Sequence, residues 1–174
     1  MKAVVMMCAG LLIAGSALAQ NPAAGAARPA AAQAEAAPPA PPPGSAGIFK
    51  ANSDLQAVLA KAMAGATDMS TSAVANTDQY RVNIVHRPKA NFAIAHPGNT
   101  ELHYIIEGSG TVTTGGKIVR KPGAAASTAT IEGGESHKVT KGDIVIVPAG
   151  SAHMYSEVAA SGITYLEVRF VAPK

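Results

Sequence analysis

Polar and apolar positions from residue 48 onward fall into two textures. Leu55, Val58, Leu59, Ala62 and Met63 recur at helical spacing and form one apolar stripe. Ser53 with Gln56 three residues later resembles a capping box, and Gly65 suits a stop, so the spacing predicts a short amphipathic helix over 54–64. That helix is expected to cover one end or face of a sheet and to carry no chemistry. After Asp68 the period shortens to two. Tyr80, Val82 and Ile84 alternate with Arg81 and Asn83, and strand-like runs follow at 91–95, 102–107, 111–114, 117–120, 136–140, 144–147, 153–157 and 163–171. Turn residues separate them: Pro97-Gly98-Asn99, Gly108-Ser109-Gly110, Lys141-Gly142-Asp143 and Ala149-Gly150. Thr113-Thr114-Gly115-Gly116-Lys117 reads as a tight hairpin, and 122–135 as a flexible inserted loop. About nine short strands after one helix predict an all-β antiparallel sandwich or barrel over 48–174.

The N-terminal part reads differently. Lys2 precedes an apolar run from Ala3 to Ala14, and Ala17-Leu18-Ala19 forms a small-residue cleavage pattern, so 1–19 is expected to be a signal peptide. The protein is then periplasmic or secreted, with no membrane span once the signal is removed. Residues 21–46 hold 12 Ala and 7 Pro with only Arg28 and Glu35 charged. Having no periodic apolar face, 20–47 reads as an Ala/Pro-rich disordered linker.

Composition removes several function classes. Fourteen Lys and Arg against 11 Asp and Glu leave a net charge of +3, with no basic run interleaved with aromatics, which argues against nucleic acid. No apolar stretch of about 20 residues lies in the body of the chain, so a polytopic membrane protein is excluded. Cys8 is the only cysteine and falls within the signal segment, so the mature chain is expected to lack disulfides, thiolate nucleophiles and Cys-ligated zinc.

The chemistry-bearing side chains concentrate late in the chain. His96, Glu101 and His103 lie within eight residues, and His153 follows just after Pro148-Ala149-Gly150. Imidazoles and a carboxylate on β-strands suit a divalent metal ion such as Mn, Fe, Ni or Zn. His103 and Glu101 are two apart and share a strand face, yet a span of about 6.6 Å along a strand separates them, so His103 reads equally as a ligand or as a proton donor behind the ligands. Tyr155 shares parity with His153 and reads as either a pocket hydrogen-bond donor or a core tyrosine. His86 and His137 are expected to be exposed. Arg169 alternates with Leu166, Val168 and Phe170 and is expected on the polar face, the other reading being a clamp for an anionic ligand.

His96-Pro97-Gly98-Asn99-Thr100-Glu101, followed by Gly108, resembles the first motif of the cupin superfamily. Gly142 with Pro148, Gly150 and His153 resembles the second, with Glu157 where the family pattern has Asn. The resemblance implies a jelly-roll (double-stranded β-helix) barrel with one short N-terminal helix and an in-barrel metal held by His, His, Glu and His. His96, Glu101 and His153 match three of those positions. Ile94 stands at that of the first His and cannot ligate, which leaves a two-His, one-carboxylate set or a set joined by His103. Cupins include enzymes, storage proteins and sugar-binding modules. The resemblance therefore implies either a metal-dependent enzyme of oxygenase, isomerase or lyase type acting on a small oxygenated molecule, with His103 or Tyr155 as acid or base, or a non-catalytic binder of a sugar or small acid, with or without metal. A homodimer formed by strand exchange at a sheet edge is a third expectation.

Overall fold

The computed structural model describes residues 37–64 and 67–171. The expected signal peptide, and the expected linker as far as residue 36, lie outside the described residues. From Pro38 the chain is tied to the body: the Pro38 carbonyl accepts from the Asp78 N–H at 2.8 Å, and the Ala40 N–H donates to the Asp78 carboxylate at 2.9 Å.

Helix α1 spans Asn52–Met63, two residues earlier at its start than the capping box suggests. Ala51 is the N-cap and no side chain caps the helix; Ser53 lies inside the first turn, and Gln56 instead reaches the Asn52 carbonyl oxygen Oδ1 at 3.5 Å. Asp54 near the start and Lys61 near the end suit the helix dipole. Leu59 is the one helix residue buried, where α1 packs on the first two strands. No helix among the described residues is long and apolar enough to cross a membrane.

The strands are β1 (Ser70–Asn76), β2 (Tyr80–Arg87), β3 (Asn99–Thr114), β4 (Lys117–Val119), β5 (Thr130–Glu132), β6 (Glu135–Thr140), β7 (Ile144–Val147) and β8 (His153–Val171). The main sheet runs β1-β2-β8-β3-β6 with β7 also on β3, every pair antiparallel, while β4 and β5 form a separate pair. This is an all-β jelly roll with one short helix.

Several elements differ from the sequence expectation. The runs 102–107 and 111–114 are one strand, β3, and 153–157 and 163–171 are one strand, β8. Gly108 and Gly162, both at positive φ, are not turns but irregular strand positions where β3 and β8 approach so closely that a Cβ on Gly108 would strike the Gly162 carbonyl. The Gly115-Gly116 turn is present, but β4 does not pair with β3, because β6 and β8 already occupy both of its edges there. The run 91–95 contributes only the bridge Ile94–His153, and the 122–135 loop contains a 3₁₀ turn at Ala126–Thr128 and strand β5.

Register sets the functional face. Directly opposed residues share a face of the sheet, so side by side run Arg81, Arg169, Glu101 and Val147, then Asn83, Glu167, His103 and Val145, then Val85, Tyr165 and Ile105. The deep end is the apolar core, built on Val85, Ile105, Val112, Val139, Tyr155, Ile163 and Tyr165. Charge therefore collects at one end of the interior.

Candidate metal centre

Two turns bring the imidazoles to Glu101. His96-Pro97-Gly98-Asn99 closes by an Asn99 N–H to His96 carbonyl bond at 3.2 Å, which turns the chain into β3. Pro148-Ala149-Gly150-Ser151 closes likewise at 3.0 Å, with Gly150 at φ 79°, and leads into β8. The Gly150 N–H donates to the His96 carbonyl at 3.0 Å, and Ile94 and His153 exchange main-chain bonds at 3.1 and 2.9 Å. The loop before β3 and the start of β8 are thus held together, with the Ile94 side chain a hydrocarbon beside His153.

Glu101 is 1 % exposed and sits at the centre. Its Oε1 lies 3.4 Å from His96 Nε2, and its Oε2 lies 3.6 Å from His153 Nε2. The His153 Nδ1–H donates to the Ser151 carbonyl at 3.1 Å, which leaves the Nε2 lone pair pointing at the carboxylate. Burial lowers the pKa of both imidazoles; for His96 the Arg169 and Arg81 guanidiniums add to it. Burial alone would raise Glu101, but the His103 hydrogen bond and its neighbours His153, Arg169 and His96 bring it below its ordinary value. His96 Nε2 and Glu101 Oε1 are both buried and without a hydrogen-bond partner. The His153 Nε2 lone pair, the unpartnered His96 Nε2 and the Glu101 carboxylate converge on one another. A cation satisfies that arrangement, and one ligand atom from each of His96, Glu101 and His153 lies within 4.8 Å of the others.

His103 belongs to a neighbouring group. Its Nε2 lies 3.3 Å from Glu101 Oε2 and its Nδ1 lies 3.2 Å from the Tyr155 hydroxyl. Burial, reinforced by Tyr165, keeps Tyr155 protonated, so the phenol donates to Nδ1 and His103 donates from Nε2 to Glu101. The His103 ring also lies 4.6 Å, centroid to centroid, from Tyr165, whose hydroxyl accepts from Arg87 Nε at 2.8 Å. His103, Glu101 and Glu167 form a second trio with atoms within 4.8 Å of one another.

Glu167 and Asn83 were not legible as site residues, and Arg169 was legible only as the second of its two readings. Glu167 is buried and accepts from Arg169 Nη2 at 2.9 Å and from Asn83 Nδ2 at 3.0 Å. Arg169, expected on the outer polar face, instead points inward with its side chain 18 % exposed and its Nε 3.6 Å from Glu101 Oε2. The usable signal was parity with Tyr165 and Ile163. His86 is half-buried and within 2.9 Å of the Thr164 hydroxyl, whereas His137 is exposed and paired with Glu135 at 3.0 Å.

No curated protein is significantly similar to the chain in sequence. Among solved structures, the Cnp3 cupin domain of Schizosaccharomyces pombe is 12% identical over 62% of this chain and 67% of its own, with a TM-score of 0.47. A cupin superfamily protein of Desulfitobacterium hafniense is 14% identical over 62% and 83%, with a TM-score of 0.42. A protein of Thermotoga maritima described as a predicted oxalate decarboxylase is 15% identical over 60% and 81%, with a TM-score of 0.44. Residues 84–174, which carry both turns, Glu101 and all of β8, match the family described as the AraC-like ligand binding domain, and the chain belongs to that family within the cupin superfamily.

Proposed function

We propose that this small-molecule-binding cupin domain is exported, holds a divalent metal ion on His96, Glu101 and His153, and acts on a small oxygenated organic molecule by oxygenase, isomerase or lyase chemistry. The single observation that carries the metal is the unsatisfied convergence of His96 Nε2 and Glu101 Oε1, with His153 Nε2 held as an acceptor by the Nδ1–H to Ser151 bond. Export rests on Lys2, the apolar run and Ala17-Leu18-Ala19. A bound divalent ion would supply Lewis acidity, polarising a ligand oxygen. The protein supplies the rest. His103 holds its proton at Nε2 against Glu101 and fixes the orientation of that carboxylate, while Tyr155 fixes the His103 tautomer. Both lie behind Glu101, which supports a positioning role more than that of acid or base.

One observation favours a second, metal-free reading. Arg169 lies 3.6 Å from Glu101 and offers a fixed positive charge beside it, so a binder that takes up a ligand without turnover is the alternative. Elemental analysis of the purified full chain after exposure to Mn, Fe, Ni or Zn separates the two. The expected result is one ion per chain, lost in a His96→Ala, His153→Ala double variant. Metal that survives in the double variant, or no metal with any of the four ions, overturns the metal site.

A further inference from the structure

Two arginines at the polar end of the sheet, exposed Arg81 and part-buried Arg169, are direct neighbours across strands. Arg81 on β2 is the register partner of Arg169 on β8, and Arg169 is in turn the partner of Glu101. Like charges directly opposite one another destabilise a sheet unless something lies between them. Arg169 is only partly engaged: Nη2 donates to Glu167, while Nε is buried without a hydrogen-bond partner. Arg81 makes one long contact, Nε to Asn76 Oδ1 at 3.4 Å, and among the described residues no carboxylate lies within ion-pair distance of it.

Both guanidiniums line one cavity of about 200 Å³, together with Asn76, Asn99, Thr77 and Asp78. Its volume is roughly that of seven waters at about 30 Å³ each, enough for a small organic acid. Asp78, the one carboxylate in its wall among the described residues, accepts at Oδ1 from the Ala40 N–H. The Asn76 and Asn99 side-chain amides add neutral donors. We propose that the Arg81–Arg169 pair is an anion subsite beside the His96–Glu101–His153 cluster, so that the ligand of this domain carries a carboxylate held between the two guanidinium forks. The inference rests on the reading of the cluster as the ligand site and names the class of ligand. A planar carboxylate matches guanidinium geometry and relieves the facing charges. Inorganic phosphate shares the charge but not the planarity.

The test is calorimetric titration of the purified full chain with acetate, succinate, citrate and inorganic phosphate, at an ionic strength held constant with chloride, and with succinamide as the uncharged counterpart of succinate. At least one carboxylate is expected to bind while succinamide does not. Arg81→Gln is expected to weaken that carboxylate by about tenfold or more and to leave metal content unchanged. Arg81→Gln removes a like-charge contact and should fold; Asn99→Asp, which adds a negative charge to the same cavity, provides an independent loss. The proposal is overturned if no carboxylate binds better than chloride, if phosphate binds as tightly as the best carboxylate, or if neither substitution changes carboxylate affinity. Carboxylate binding that persists in chain unable to hold metal would remove the metal reading alone. Metal binding without any carboxylate preference would remove this inference alone.

Discussion

His153 donates its Nδ1 proton to the carbonyl of Ser151 at 3.1 Å, two residues back along its own chain, and this bond decides which ring nitrogen faces Glu101. With His96 and His153 both held below the ordinary imidazole range, chiefly by burial, the unfolded chain binds protons that the folded chain does not. The sign follows: stability is complete above the unfolded value of about 6.5 and falls as pH drops below it. Glu101, also lowered, adds a second loss below its ordinary value of 4.5. Metal-free protein should therefore show a thermal midpoint that declines from about pH 6.5 downward and declines again below about 4.5. His153→Gln, which cannot titrate, should flatten the upper limb. A midpoint level from neutral pH to pH 5 contradicts the burial of neutral imidazoles.

Glu101 faces His96, His103, His153 and Arg169 at once. Glu101→Gln keeps the shape and removes the charge. It should abolish stoichiometric metal and, by leaving buried donors poorly matched, cost about 1–3 kcal/mol of stability. Equilibrium dialysis with Zn and urea unfolding of the metal-free chain measure the two effects separately. Wild-type metal affinity in Glu101→Gln would show that the carboxylate is not a ligand.

Tyr155 reaches the metal trio only through His103. Tyr155→Phe keeps the ring, which is buried in the core, and deletes the hydroxyl that fixes the His103 tautomer. Loss of such an outer hydrogen bond should lower metal affinity by about 10–100-fold, at a stability cost of about 1 kcal/mol. Competition with a chelator of known affinity gives the first figure. If the unfolding free energy falls while chelator competition is unchanged, Tyr155 is a core residue only.

Much of this was legible in residue order because the signals were local. Turn residues bracket His96 and His153, and the structure brings His96, Glu101 and His153 into one cluster. What was not legible depended on which face is inside. Leu166, Val168 and Phe170 look like a core stripe, but the interior here is a polar site, so Glu167 and Arg169 point in and Phe170 stays exposed. Strand β1, Ser-Thr-Ser-Ala-Val-Ala-Asn, has no apolar alternation because small side chains, Ser70 and Ser72, fill its two buried positions. Helix α1 was legible from its stripe, yet its first turn was not, because Ala51 caps it without a side-chain bond.

Asp78 carries a prediction that separates the chain before the helix from the domain. Its main-chain N–H and its carboxylate hold Pro38 and Ala40, and Ala37 lines the arginine cavity beside them. Asp78 is itself exposed, so replacing it removes one surface hydrogen bond without opening the core. Asp78→Ala should leave the thermal midpoint of the domain nearly unchanged, since an exposed bond of this kind contributes about 1 kcal/mol or less. Residues 37–45 should nevertheless become easier to cleave, because one of the two bonds that hold them is gone. Limited proteolysis with a broad-specificity protease, read by mass spectrometry, follows the segment directly. Equal cleavage rates in wild type and Asp78→Ala would show that the Pro38 carbonyl bond alone fixes the segment.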